Sequence, residues 1–318
     1  MRMITALKKK MNLKMLSCSL KNKNKNRKGF VLVSVLMLGV LLISCATAFS
    51  WFVRLQARGI GRERDALSSR SMAQVFANVI VKTMADMAGR YNADSLRQRW
   101  FQPFVIPMED LGIWIIQIKP LDDKIPLRNL FLPDGNTLRR EFSTVWDDLW
   151  DKLKNREAGT LVLDFLDKNT RPRVGSAERD NFINRGLYDM SELLILSQDI
   201  EEEALYSLED YCTIWSDGKI NLNVAPQEVL ELLPGLDTGL AERLIREREE
   251  RAFESLKDLQ TLPGASPRTS TQLTNLAAFK SRYFEIQIQC MNYQGEGGNS
   301  FSIIFDRTDR KIVKWEEI

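Results

Sequence analysis

Residues 27–53 read RKGFVLVSVLMLGVLLISCATAFSWFV, and no charged side chain occurs between Phe30 and Val53. At 1.5 Å per residue this run reaches about 36 Å as a helix, past the roughly 30 Å hydrocarbon core of a bilayer. The segment before it carries about ten Lys and Arg side chains and no acidic one. Lys and Arg resist translocation, so the N-terminus is expected to stay cytoplasmic, with one membrane pass following. After the run, Trp51, Phe52, Leu55, Leu67, Met72, Val75, Phe76, Val79, Ile80, Met84 and Met87 recur at steps of three and four. That spacing predicts an amphipathic helix continuing from the apolar one. Gly59 and Gly61 are the weak point, where a bend or break is expected, because each glycine costs about 1 kcal/mol in a helix.

A short basic leader ending in Lys28-Gly29, followed by Phe30 and an apolar helix, resembles the class III signal of the type IV pilin superfamily. In that superfamily a prepilin peptidase cuts after the glycine on the cytoplasmic side and the helix stays in the mature protein. Two other readings fit the same residues. Leu42-Ile43-Ser44-Cys45 matches a lipobox, which would make the product a periplasmic lipoprotein anchored at Cys45. Ala46-Thr47-Ala48 matches an ordinary secretory cleavage site. Both would leave a mature start running into a flexible linker, whereas an amphipathic helix follows here.

The net charge of +3 over 318 residues hides the leader's contribution, and the remainder of the chain is acidic. No global basic field points to nucleic acid. The chain contains no histidine, which removes Ser-His-Asp and Cys-His catalysis together with the commonest metal ligand. Of four cysteines, Cys18 and Cys45 lie in the leader and the apolar run. Cys212 and Cys290 would meet an oxidising compartment, where either a disulfide between them or two buried thiols is open.

The part beyond the helix predicts an α+β fold. Leu111–Lys119 is a β-rich run, Tyr283–Cys290 and Phe301–Phe305 alternate apolar with polar, and Lys311–Trp315 closes the chain. Gly295–Asn299 reads as a hairpin loop. These segments make a small antiparallel sheet with one solvated face. Between its first strand and its last three, helices are expected at Leu138–Leu153, Met190–Leu196, Glu201–Tyr211, Gln227–Leu233, Leu240–Arg251 and Pro267–Phe279, with Pro226 and Pro267 marking starts. The expected organisation is a leader at 1–29, a transmembrane helix at 30–53 and its periplasmic continuation at 54–90. A sheet follows at 91–121 plus 281–318, split by an inserted α-domain at 122–280.

Three stretches give the whole pattern a likeness. They are Leu163-Asp164-Phe-Leu-Asp167-Lys-Asn169 with Gly175-Ser-Ala-Glu178, then Tyr188-Asp-Met-Ser-Glu192-Leu193, and Ile214-Trp-Ser-Asp-Gly-Lys-Ile220-Asn221-Leu-Asn223-Val-Ala-Pro226 running into Val229-Leu230 and Leu233-Pro234-Gly235. With these, the chain resembles the minor pseudopilin K family of type II secretion. The resemblance implies a pilin fold with a large α-domain inserted in its sheet. It also implies an inner-membrane protein with its C-terminal part in the periplasm. Minor pseudopilins I and J, the major pseudopilin, the inner-membrane assembly platform and the prepilin peptidase are its implied partners. The implied role is structural rather than catalytic. The leader is longer than usual in that family, so Met11 or Met15 are alternative starts.

Family members also lack the glutamate that ordinary pilins place fifth in the mature chain. The fifth residue after Gly29 is Ser34. A glutamate in lipid is costly unless it pairs with a neighbouring subunit's amine. A subunit with Ser34 offers no such partner, which implies placement at the tip of a filament.

Relatives in the family carry calcium in the inserted domain, and Asp164, Asp167, Asn169 and Glu178 are hard oxygen ligands near a glycine-containing loop. A solvated turn with polar caps is the alternative. Finally, Ile220–Pro226, Leu232–Asp237 and Leu240–Ile245, extended by Phe253–Leu259 and Leu262-Pro-Gly264, resemble the helix-hairpin-helix (SAM-like) module of DNA-binding proteins. A membrane-anchored DNA-binding protein of a competence or type IV pilus system is the corresponding alternative function. Asp237 stands where a second glycine would cradle a phosphate, and a carboxylate there opposes binding, so a packing role is expected and nucleic acid is not.

Overall fold

The computed structural model describes residues 2–109, 112–291 and 298–318, with side chains described except at residues 2–30 and 62. The expected hairpin loop at Gly295–Asn299 and the start of the first strand at Leu111 lie mostly or wholly outside the described residues. The chain divides into two units, Met1–Ser68 and Ser69–Ile318.

The first unit is helical, within α1 (Arg2–Met87). Helix continues through Gly59 and Gly61, so the break expected there does not occur. The described part of the helix from Val31 onward is long and apolar enough to cross a membrane, reaching a mean hydropathy of 2.5. Leu32, Leu36, Leu42, Ile43, Phe49 and Trp51 all stand exposed.

In the second unit the chain runs from α1 residues 69–87 to β1 (Phe104–Met108), β2 (Gly112–Pro120) and β3 (Ile125–Pro126). Next come α2 (Arg140–Lys152), α3 (Arg156–Leu166), a 3-10 segment at Met190–Gln198, α4 (Glu202–Tyr211), β4 (Cys212–Thr213) and β5 (Ile220–Asn221). α5 (Gln227–Leu230), α6 (Thr238–Glu250), α7 (Leu256–Leu259), α8 (Pro267–Leu273) and β6 (Ala277–Ala278) follow. β7 (Tyr283–Met291), β8 (Ser300–Asp306) and β9 (Lys311–Glu317) complete the chain.

β1, β2, β7, β8 and β9 form one antiparallel sheet in that order. Alternation puts Trp114, Ile116 and Ile118 of β2, Phe284, Ile286 and Ile288 of β7, and Phe301, Ile303 and Phe305 of β8 on one face, all buried. Ile116 pairs with Ile288, Ile118 with Ile286, and Phe284 with Phe305, so the register stacks apolar on apolar across three strands. Ala73, Ala77, Val81 and Met84 of α1 complete this core, at the four- and three-residue steps of one helix face. The alanines are fully buried, and small side chains there let the helix approach the sheet closely. The opposite sheet face carries Gln117, Lys119, Glu285 and Gln287, all partly exposed. The sequence named four strands; the fifth, β1, is an edge strand holding Pro107, where no ladder N–H is required of it.

Everything from β3 to β6 is inserted between β2 and β7, which pair directly, Pro120 against Phe284. The inserted helices share a second core, including Phe142, Leu149, Phe165, Leu208, Val229, Leu244 and Leu273, closed by two parallel pairs, β3 with β4 and β5 with β6. The α+β class read from the sequence is the one observed. Met190–Gln198 is 3-10 rather than α, and α3 and α7 form where the sequence reading named no helix.

Candidate functional site

In the first unit, Ser34 Oγ donates to the Val31 carbonyl at 2.9 Å, so its hydroxyl is satisfied within the helix and presents no ionisable group. The side chains of Gly29 and Phe30 lie outside those described. Cys45 is an exposed thiol on the same helix.

Where the insertion meets the sheet, three buried acids organise the backbone. Asp122, just after β2, accepts from the Asp217 N–H at 3.1 Å, the Arg282 N–H at 2.8 Å and the Tyr283 N–H at 3.0 Å. Burial raises its pKa to about 7, against the opposing pull of the N–H bonds. Asp94, in the segment after α1, takes both guanidinium nitrogens of Arg307 at 2.9 and 2.8 Å and the Ser281 N–H at 2.7 Å. Asp306 receives Arg282 at 2.7 Å and caps the turn to β9 through the Thr308 and Asp309 N–H groups. Sequence reasoning missed these groups: the donors that reach Asp94 and Asp122, and the Arg282 guanidinium that reaches Asp306, come from distant segments.

The Ile220–Pro226 motif has a structural explanation. Asn221, fully buried on β5, donates to Ser281 Oγ at 2.9 Å. Asn223 exchanges two bonds with the Phe253 backbone, donating to its carbonyl at 2.8 Å and accepting its N–H at 2.9 Å. Arg248 donates to the Leu222 and Ala225 carbonyls, 2.7 Å each. The motif therefore ties the insertion's loops to one another through Asn223 and Arg248, and to the segment leading into β7 through Asn221.

The two Leu-Pro-Gly turns form a reciprocal pair. Gly235 has φ +83° and faces Thr269 and Gln272 of α8, while Gly264 has φ +91° and faces Arg243 of α6. Each turn thus packs on the helix that follows the other. Asp237 Oδ1 accepts the Leu240 N–H at 2.7 Å and Ser266 Oγ accepts the Thr269 N–H at 3.2 Å. The N–H that a phosphate would seek at α6 is capped by a carboxylate of the chain itself.

The four residues read as metal ligands fall into two groups. Asp164 and Asp167 are fully buried and both contact Arg173. Asn169 Oδ1 is taken by the Arg171 N–H at 2.8 Å. Glu178 lies instead with Asn184, whose Nδ2 donates to it at 3.0 Å, and Glu178 Oε2 and Asn184 Oδ1 have no hydrogen-bond partner among the described residues. Among those residues no cluster of three or more acidic, His or Cys side chains is placed to hold a metal. As arranged, the four do not make one calcium donor set.

Cys212 and Cys290 are not joined. Cys212 belongs to the insertion core on β4, and Cys290 to the sheet on β7 with Ser69 Oγ at 3.9 Å. The two thiols pack in different cores, Cys212 in that of the insertion and Cys290 against that of the sheet. Burial pushes the pKa of the Cys212 thiol up.

Helix, antiparallel sheet and a helical insertion between neighbouring strands together define an α+β protein with an inserted domain. Residues 220–280 match the family model described as Type II secretion system (T2SS), protein K. The fold is similar to a chain of the solved GspK-GspI-GspJ complex from the type 2 secretion system of enterotoxigenic Escherichia coli. The TM-score is 0.62 at 15% identity, over 83% of this chain and 99% of that one. No curated protein matches the sequence. The family model thus covers the end of the insertion, and the likeness to the solved chain is one of fold.

Proposed function

We propose that this chain is a minor pseudopilin of a type II secretion system, seated at the tip of the pseudopilus, where it primes assembly and supports export of folded proteins. The observation that carries the reading is an uncharged helix with Ser34 at the fifth position after Gly29, on a chain whose residues 220–280 match the protein K family. A helix without a membrane-depth carboxylate has nothing to offer the amine of a neighbour above it. It is well suited to the last place in a stack and poorly suited to the middle.

In this reading the run from Phe30 to Val53 anchors the protein in the inner membrane with a single pass, and residues 54–318 lie in the periplasm. Prepilin peptidase cuts between Gly29 and Phe30. The protein then joins minor pseudopilins I and J through stalk helices, and the major pseudopilin adds beneath them at the assembly platform. The role is one of assembly rather than catalysis. The sheet, at 91–121 and 281–318, and the inserted α-domain, at 122–280, form the globular part that crowns the tip.

N-terminal sequencing of membrane-extracted protein tests the core of the proposal. The expected start is Phe30, and Gly29→Ala should slow processing. A mature start at Cys45 bearing lipid would overturn it. Immunogold labelling tests the position: Ser34→Glu should leave labelling at filament ends with no gain in secretion.

A further inference from the structure

The resemblance carries calcium in the inserted domain, and the acids for it are present, yet the space they enclose holds a side chain. The geometry points to Arg173 as the resident cation of this insertion, taking at Asp164 and Asp167 the part that a divalent ion would otherwise play.

Asp164 lies in the last turn of α3 and Asp167 caps its end, three residues on and on the same side of the helix. Both are fully buried at a helix C-terminus, where the backbone dipole disfavours negative charge. Two such carboxylates need a cation. Arg173 supplies it from the loop that follows: Nη1 donates to Asp164 Oδ1 at 2.7 Å and also to Asp167 Oδ2. Its own backbone N–H donates to Asp164 Oδ2 at 2.9 Å and Nη2 to the Asn136 carbonyl at 2.7 Å. The guanidinium also lies 5.5 Å from the centre of the Phe131 ring. The remaining carboxylate oxygen, Asp167 Oδ1, accepts the Asn169 N–H at 3.2 Å. Every oxygen of the pair is therefore committed to an N–H donor. Calcium requires six to eight oxygens, and its charge would fall beside a guanidinium. Burial pushes the pKa of Asp167 up, and the Arg173 guanidinium beside it pulls it back down.

The test is thermal unfolding of the full chain in detergent, with millimolar CaCl2 or with EDTA. The wild type is expected to unfold at the same temperature in both. Arg173→Met keeps the packing and removes the charge; it should lower the midpoint by roughly 5 °C or more. Adding Asp167→Asn to that variant should recover most of the loss, because it removes the charge left without a partner. Should Arg173→Met not fold, Arg173→Lys keeps the proposal testable, with a midpoint within a few degrees of wild type and no response to calcium. Three results overturn it. One is a calcium-induced rise in the wild type that Asp167→Asn abolishes. The second is an Arg173→Met midpoint equal to wild type, and the third is a double variant no more stable than Arg173→Met.

Discussion

Trp150 lies so close over Gly159 that a Cβ at residue 159 would fall 2.5 Å from Trp150 Cδ1. Trp146 completes the arrangement by donating its indole N–H to the Gly159 carbonyl at 3.1 Å, and the two indoles meet at an angle 5.8 Å apart. This is the contact that brings α2 and α3 together. A glycine in a helix is ordinarily a cost, and here it is what permits the two helices to touch.

Gly159→Ala should therefore destabilise the protein although alanine is the better helix former. Overpacking costs about 1–3 kcal/mol and the propensity gain offsets up to about 1 kcal/mol. A net loss of order 1–2 kcal/mol in denaturant unfolding is expected. A stabilised variant would mean that Trp150 can move aside.

Arg307 and Asp94 form a two-pronged pair with side chains 9% and 3% exposed. Arg307→Ala leaves a buried carboxylate without its cation, a change that costs about 3–5 kcal/mol. A double-mutant cycle with Asp94→Ala should show strong coupling between the two sites. Additive losses would reduce the pair to two independent packing defects.

Asp122 gives the pH dependence its sign. Burial raises it to about 7, so between about pH 4 and pH 7 the folded state holds a proton that the unfolded state has released. Its stabilising contribution is complete below about pH 4 and is lost as pH rises through 7. Relative to Asp122→Asn, the wild type should lose stability across that window and run parallel to it above pH 8. A constant difference between the two at all pH values would show that Asp122 does not titrate there.

The insertion leaves and rejoins the sheet at adjacent points: Pro120 pairs with Phe284, and the Leu121 N–H reaches the Tyr283 carbonyl at 3.0 Å. Deleting residues 122–280 should therefore leave β2 and β7 joined by a short hairpin turn. If the bulk of the insertion hinders addition of another subunit above the tip, pseudopili should lengthen in the deletion strain when the major subunit is overproduced, as measured by electron microscopy. Unchanged lengths, with the deleted protein stably present, would remove the steric mechanism from the tip assignment.

Thiol chemistry offers a simple check on Cys212 and Cys290. Intact mass after alkylation without reductant should show no internal disulfide, and Cys212 should resist modification until the protein is unfolded. An internal disulfide found before unfolding would require the two cores to be rearranged.

The sequence by itself determined the features whose signal is local. The uncharged run from Phe30 to Val53 needs only its length and its lack of charge. β2 announces itself as the β-rich run Leu111–Lys119, and β7 and β8 because the alternation read at Tyr283–Cys290 and Phe301–Phe305 is a property of each strand alone. The Leu233-Pro-Gly235 turn and the start of α8 at Pro267 are likewise written in neighbouring residues. Tertiary structure decided the rest. α3 was not legible because Gly159 argues against helix until Trp150 is placed over it. β1 was not legible because Pro107 argues against strand until it is known to lie at an edge. Asp164 and Asp167 read as metal ligands or as caps of a solvated turn, and neither reading names the arginine that meets them. Only the fold of residues 168–173 brings the guanidinium of Arg173 to them and not to solvent. Periodicity fixes which face of an element is apolar; which charge meets which is fixed by the path of the chain through space.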